Sequence, residues 1–268
     1  MPVREHEVNQ TSEPVTDFKR WCKPETVVPI KGHTAGILIS KNDDAGVDAV
    51  AATLAAKYAK PDALARIAEK LGKPKVSDFL RNKFPATPRG RSGDMGEILA
   101  TSYVEEDCGY VVGPSRLIHR DHHEWAMRGD DALGAKFDSA SKVQLLKTEA
   151  KSRIRTTEAV VKEARDGLER EGGLPSPHSL AQFAERLLDT SDVLLGEAVL
   201  ELQLSGGVRP DAMSHLMFLF TTNDPSQHVN DDLAAYTGPI KQLTRTLRVN
   251  AHQEFIHRAY EKALADDA

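Results

Sequence analysis

A candidate β-hairpin in the middle of the chain constrains the fold more than any other segment. Residues 131–137 read Asp-Ala-Leu-Gly-Ala-Lys-Phe, and residues 143–151 read Val-Gln-Leu-Leu-Lys-Thr-Glu-Ala-Lys. The polar residues 138–141 between them form a connection of a length that suits a hairpin. Because side chains alternate between faces along a strand, Glu149 and Lys151 share one face, about 7 Å apart along the backbone. Pairing of the two strands can bring Asp131 to that face, beside Glu149.

Two carboxylates on one face repel each other unless a cation lies between them, so Asp131 and Glu149 are the predicted metal ligands. Mg²⁺ prefers carboxylate oxygens, and Mn²⁺ is an alternative. A bound metal can polarise a phosphoryl oxygen and lower the pKa of a bound water. Lys151 can orient that water or neutralise charge at the reacting phosphorus. Asp130 is an alternative ligand, although Asp131 has the parity argued above. The other interpretation is a hairpin whose charged side chains face water.

A helix predicted upstream, over residues 90–106, carries a third acid. Asp94 is interpreted as its N-cap or first-turn acid. Glu97 lies among small residues, which would let a helix press this carboxylate against a sheet, near the metal. The alternative is a plain exposed glutamate.

The order of the helix at 90–106, a short β-rich run at 109–113, the acid-bearing hairpin and a helix at 156–170 resembles the core of the PD-(D/E)xK nuclease superfamily. The residues that carry the resemblance are Glu97, Asp131 and Glu149-x-Lys151. More narrowly, residues 93–99, 128–134 and 147–151 look like the nuclease subunit (HamA) of Hachiman-type anti-phage defence systems. The similarity extends over roughly residues 30 to 265. It implies a metal-dependent DNA nuclease that works with a helicase partner (HamB) and degrades DNA during infection.

Composition sets the broad class. The chain has 268 residues, 40% of them apolar, which is ordinary for a globular protein. We expect a loose arm over residues 1–24, anchored by Trp21, and a single α/β domain over residues 25–268. A PD-(D/E)xK nuclease-like core, with a central mixed sheet flanked by helices, would carry helical elaborations at both ends. The absence of an apolar signal core, of a membrane span and of a cysteine framework indicates a cytoplasmic protein with no membrane partner.

Two basic segments are candidate contacts to DNA phosphates, although the net charge is −5. One spans residues 73–91 and the other residues 142–155, and solvated surface is the alternative for both. The His119–His123 cluster matches no zinc motif and is interpreted as a polar connector. The chain contains no Walker loop and no Gly-x-Ser-x-Gly elbow, which disfavours ATP and serine hydrolysis.

The remaining pattern predicts two buried strands, a linker and several helices. The strands are expected at 35–40 and 214–222, and the linker at 172–177. Helices are expected at 47–60, from 61 to 71, 76–84, 156–170, 179–189, 191–204 and 239–265.

The leading hypothesis is a Mg²⁺-dependent DNA endonuclease, with Glu97, Asp131, Glu149 and Lys151 as the catalytic residues. The alternative is a protein-binding subunit that docks on a helicase and has a latent or degenerate nuclease site.

Overall fold

The computed structural model describes residues 14–119 and 129–266, and the architecture of these residues is α/β. The strands are β1 (Thr26–Ile30), β2 (His33–Ile39), β3 (Ala132–Phe137), β4 (Val143–Ser152), β5 (Met213–Thr221) and β6 (Lys241–Arg248). The helices are α1 (Phe18–Trp21), α2 (Asp43–Tyr58), α3 (Pro61–Leu71), α4 (Lys73–Lys83), α5 (Pro88–Glu106), α6 (Glu158–Glu169), α7 (Pro177–Leu188), α8 (Val193–Ser205), α9 (Ser226–Ala235) and α10 (His252–Asp266).

The strands form one six-stranded mixed sheet, in the order β1-β2-β6-β5-β4-β3. The central pairs β2–β6, β6–β5 and β5–β4 are parallel, and an antiparallel hairpin lies at each edge. Helices α2, α4, α5 and α10 cover one face of the sheet, where Phe218 and Phe220 contribute to a large apolar core. Helices α6 and α9 cover the other face around Met217 and Leu219, and α7 and α8 pack beside the β3–β4 hairpin. The predicted central mixed sheet flanked by helices is therefore confirmed.

The predicted hairpin is present as β3 and β4. Ala132 lies opposite Thr148 and Phe137 lies opposite Val143. One step beyond this register, position 131 falls opposite position 149. Asp131 and Glu149 therefore have the relative positions that strand alternation predicted for them.

Helix α5 begins earlier than predicted. Its N-cap is Thr87, whose side chain accepts a hydrogen bond from the backbone N–H of Gly90. The expectation that Asp94 caps the helix is wrong, because Asp94 is buried in mid-helix and accepts a 2.5 Å hydrogen bond from the Tyr58 hydroxyl. At Gly96 the helix approaches β4 so closely that a Cβ there would lie 3.0 Å from the Cβ of Ser152. Glu97, one residue later, is consequently held against the sheet.

The single helix predicted over residues 239–265 is wrong. Residues Lys241–Arg248 form the central strand β6, and only His252–Asp266 is helical. The basic residues Lys241, Arg245 and Arg248 stand at intervals that suit one face of a helix. In the fold Arg245 is buried and its Nε lies 2.6 Å from Glu25 Oε1, so part of that set belongs to the interior.

The boundaries at the N-terminus also differ. Phe18 and Trp21 are buried within the short helix α1, and Trp21 packs on Phe255. The expected anchoring by Trp21 is therefore present, and Thr16, Phe18 and Cys22 are buried with it, while the other residues of 14–24 are exposed. Residues 1–13 lie outside the described residues, as does most of the His119–His123 cluster.

The predicted linker at 172–177 is a packed turn, where the Gly173 carbonyl lies 2.7 Å from His215 Nε2. Edge strand β1 was not predicted. Most of its residues are exposed, so it lacks the alternation of buried and exposed positions that marks a half-buried strand. In the part of the chain that the structure describes, no helix has the length and apolar character needed to cross a membrane.

Candidate active site

Three of the four predicted site residues meet at the β3–β4 hairpin. The Nζ of Lys151 lies 3.0 Å from Glu149 Oε1, since the two side chains are one pleat apart on β4. Asp131 directly precedes β3, and its Oδ2 accepts a 2.9 Å hydrogen bond from the backbone N–H of Ala150. The backbone bond attaches the Asp131 carboxylate to the strand that carries Glu149 and Lys151.

Glu149 is a buried carboxylate. Burial, and then the negative charge of Asp131, raise its pKa, while Lys151 and Arg170 oppose the shift. Helix α6 makes room for it with a glycine, because a Cβ at Gly167 would overlap the Glu149 carboxyl group. The sequence did not single out Gly167, and only its place opposite Glu149 shows why a glycine fits there.

Lys151 contacts two carboxylates. Besides Glu149, it lies 2.9 Å from Glu163 Oε1, on helix α6. Burial would lower the pKa of Lys151, but Glu163 and Glu149 together hold it above its ordinary value. The amine is therefore protonated at neutral pH and acts as a fixed positive charge rather than as a base.

Glu97 is joined to this cluster through Arg116, which the sequence reading did not identify. The guanidinium binds Glu97 through two hydrogen bonds of 2.6 and 2.8 Å, and its Nη2 lies 3.5 Å from Asp131 Oδ1. Burial raises the pKa of Glu97, and the charge of Arg116 opposes this. Glu97 is therefore not a plain exposed helix residue, and Arg116 bridges two acids from different elements.

The geometry favours Asp131 over Asp130 as the residue that faces the acidic cluster. Asp130 instead accepts a hydrogen bond from the Ser176 backbone N–H and lies 3.3 Å from Lys147 Nζ. Lys147 is fully buried and also donates to the carbonyls of Arg170 and Leu174. Lys147, one of the basic residues of the candidate DNA-contact segment 142–155, therefore serves the interior and is neither solvated nor open to DNA.

The donor set of Asp131 and Glu149 fits a hard divalent cation. Both offer carboxylate oxygens, and their mutual repulsion, visible in the raised pKa of Glu149, is what such an ion relieves. Across residues 14–119 and 129–266, no three His, Cys, Asp or Glu side chains converge in a metal-binding arrangement. The carboxylates of Glu97 and Glu149 are engaged by Arg116 and Lys151 instead.

Comparisons with known proteins agree with one another. The model of a family named HamA matches residues 16–263 of this chain. A curated relative, the Hachiman protein HamA of Bacillus cereus, is 26% identical over 227 residues, which cover 82% of this chain and 81% of the relative.

Proposed function

This chain belongs to the HamA family, and from that membership and the acidic cluster we propose that it is a metal-dependent DNA endonuclease with a PD-(D/E)xK-type site. We further propose that it acts as the effector of an anti-phage defence system, together with a helicase subunit. The family match supports the defence role, and the cluster supports the chemistry.

One observation carries the nuclease proposal. Asp131, Glu149 and Lys151 lie together at the end of one hairpin, with Lys151 3.0 Å from Glu149. Helix α5 carries Glu97, which Arg116 joins to the same cluster. Paired acids that can hold a metal, beside an ammonium group, suit hydrolysis of a phosphodiester, since both stabilise the negative charge that develops on the phosphoryl oxygens.

The proposed roles follow from the side chains. Asp131 and Glu149 would hold Mg²⁺ or Mn²⁺, which supplies Lewis-acid polarisation and a water of lowered pKa. Lys151, kept protonated by two carboxylates, would neutralise charge in the transition state and orient the attacking water. Glu97, which Arg116 links to Asp131, would assist the metal or the attacking water.

Cleavage of supercoiled plasmid in Mg²⁺ tests the proposal. We expect Glu149→Ala and Lys151→Ala to abolish cleavage while the circular dichroism spectrum is retained. Lys23→Ala, an exposed lysine before β1 at the opposite edge of the sheet and outside both basic segments, is the control and should cut normally. EDTA should stop the reaction. Cleavage by both active-site variants would refute the assignment, and a requirement for free DNA ends would refute the endonuclease class.

The alternative is a helicase-docking subunit whose site is latent. It is favoured by the engagement of Glu97 and Glu149 with cationic side chains, and by the exposed apolar residues Leu194 and Leu204 on α8. Cleavage by the isolated chain should be compared with cleavage by the chain co-purified with a helicase. Activity only after release from that complex would support latency, whereas binding without any activity would favour a docking role alone.

A further inference from the structure

A polar cleft adjoins the candidate active site on the side of helix α7. Asp131 and Arg116 form its inner wall. Its outer wall is a stripe of α7 at helical spacing, Ser179, Gln182 and Arg186. The cleft therefore opens directly beside the carboxylate that we propose to hold the metal.

Arg186 is the least satisfied charged group of this cleft. Its Nη1 donates to the Gln182 carbonyl at 3.3 Å, but its buried Nε has no hydrogen-bond partner. Among residues 14–119 and 129–266, no carboxylate lies within ion-pair distance of it. A buried donor without an acceptor costs about 1–3 kcal/mol, so this guanidinium is set up to gain from an incoming acceptor.

Arg116 places a second positive charge near Arg186. Burial lowers the pKa of Arg186, and the positive charge of Arg116 lowers it further, with Glu97 in opposition. Two guanidinium groups thus face the same cleft, while Arg116 directs its Nε and Nη2 to Glu97. Arg116 is already paired with Glu97 and Asp131, so Arg186 is the guanidinium that an incoming anion would neutralise, with the charge of Arg116 nearby adding to the attraction.

Helix α7 fixes the position of Arg186 relative to the acids. The Phe183 ring centroid lies 5.9 Å from its guanidinium carbon, and Phe183 is buried in the core beneath α7. At the start of α7, Ser179 Oγ accepts a 3.2 Å hydrogen bond from the backbone N–H of Asp130, the residue before Asp131. A single helix therefore sets the position of Arg186 and contacts the backbone that carries the proposed ligand.

We propose that Arg186, assisted by the charge of Arg116, binds a DNA backbone phosphate next to the one that is cut. The inference rests on the proposed nuclease function, which supplies the DNA strand. The planar guanidinium fork matches phosphate oxygens. Because such a contact positions the strand without reading bases, it serves cleavage that is independent of sequence.

Binding of a short fluorescein-labelled DNA duplex, followed by fluorescence anisotropy in EDTA, tests this subsite apart from the chemistry. We expect Arg186→Gln to weaken binding about tenfold and to reduce the slope of log K against log salt by about 0.9. Arg186→Lys should keep the slope but lose part of the affinity, because it retains the charge without the fork. Arg209→Gln is the matched control: it removes one exposed arginine just before β5, at the end of the sheet away from Lys151, and should change neither quantity.

The outcomes distinguish the proposed phosphate subsite from the proposed nuclease function. Wild-type affinity and salt slope in Arg186→Gln would overturn the subsite even if plasmid cleavage is confirmed. The expected losses in a chain that cuts no plasmid would keep the subsite and refute the nuclease. If Arg186→Gln does not fold, as judged by its melting temperature, the Arg186→Lys variant provides the test. Unchanged affinity in that variant would equally overturn the role of the guanidinium fork.

Discussion

Replacement of Gly167 by alanine should inactivate the protein without unfolding it. A Cβ at this position of α6 would overlap all three terminal atoms of the Glu149 carboxyl group. These atoms are the mobile end of a side chain, so the carboxylate can turn away while the backbone stays in place. The perturbation is therefore directed at one proposed metal ligand.

The Gly167→Ala substitution should reduce stability only slightly but activity strongly. Overpacking costs about 1–3 kcal/mol, and alanine regains about 1 kcal/mol over glycine within a helix. The net loss of stability should be at most about 2 kcal/mol, or roughly 4–8 °C in melting temperature. Displacement of a catalytic group by about 1 Å can cost about 100-fold in rate, so plasmid cleavage should fall by about that factor.

The assay is the initial rate of plasmid nicking in Mg²⁺, with a thermal melt of each variant. Gly93→Ala is the control, because the same methyl group on helix α5 meets no atom within 4 Å. That variant should cut at the wild-type rate and melt slightly higher. A Gly167→Ala protein that cuts as fast as wild type would refute the placement of Glu149 in the chemistry.

Two further predictions concern stability. Arg116→Met should lower the free energy of unfolding by about 3–5 kcal/mol, because it leaves the buried Glu97 carboxylate without its two hydrogen bonds; urea unfolding at neutral pH measures this, and a loss below about 1 kcal/mol would contradict it. Burial, and then Arg153, lower the pKa of His252 to about 4. Because the unfolded chain then binds more protons, this residue should reduce stability as pH falls from about 6.5, by up to about 1.4 kcal/mol per pH unit. His252→Gln should flatten that part of the urea-midpoint profile, whereas replacement of the exposed His178 should not; equal profiles for both variants would contradict the assignment.

Local pattern was sufficient for the hairpin. Alternation along 131–137 and 143–151, with a polar turn between them, is a short-range signal, and β3 and β4 form where it indicates. The same periodicity places Glu149 and Lys151 on one face, and they lie 3.0 Å apart. Within a regular strand, side-chain parity follows from the pleated backbone conformation, so it can be read from the local sequence alone.

Strand β6 shows where local pattern fails. Lys241, Arg245 and Arg248 stand at intervals that suit a helix face, but the segment pairs with β2 and β5 on both sides. Glu25 and the Tyr103 hydroxyl satisfy the guanidinium of Arg245 inside the fold. Since those partners are distant in sequence, the burial of a charged residue in a central strand could not be inferred from its neighbours.

By itself, the sequence determined the acid-bearing hairpin and most helices, because each depends on local spacing, and pairing within that hairpin groups Asp131 with Glu149 and Lys151. The tertiary structure alone decided that Arg116 bridges Glu97 and Asp131, that Gly167 leaves space for Glu149, and that Arg186 lies beside them. These relations join side chains from different elements, and their positions are set by how helices α5, α6 and α7 pack on the sheet rather than by any local preference.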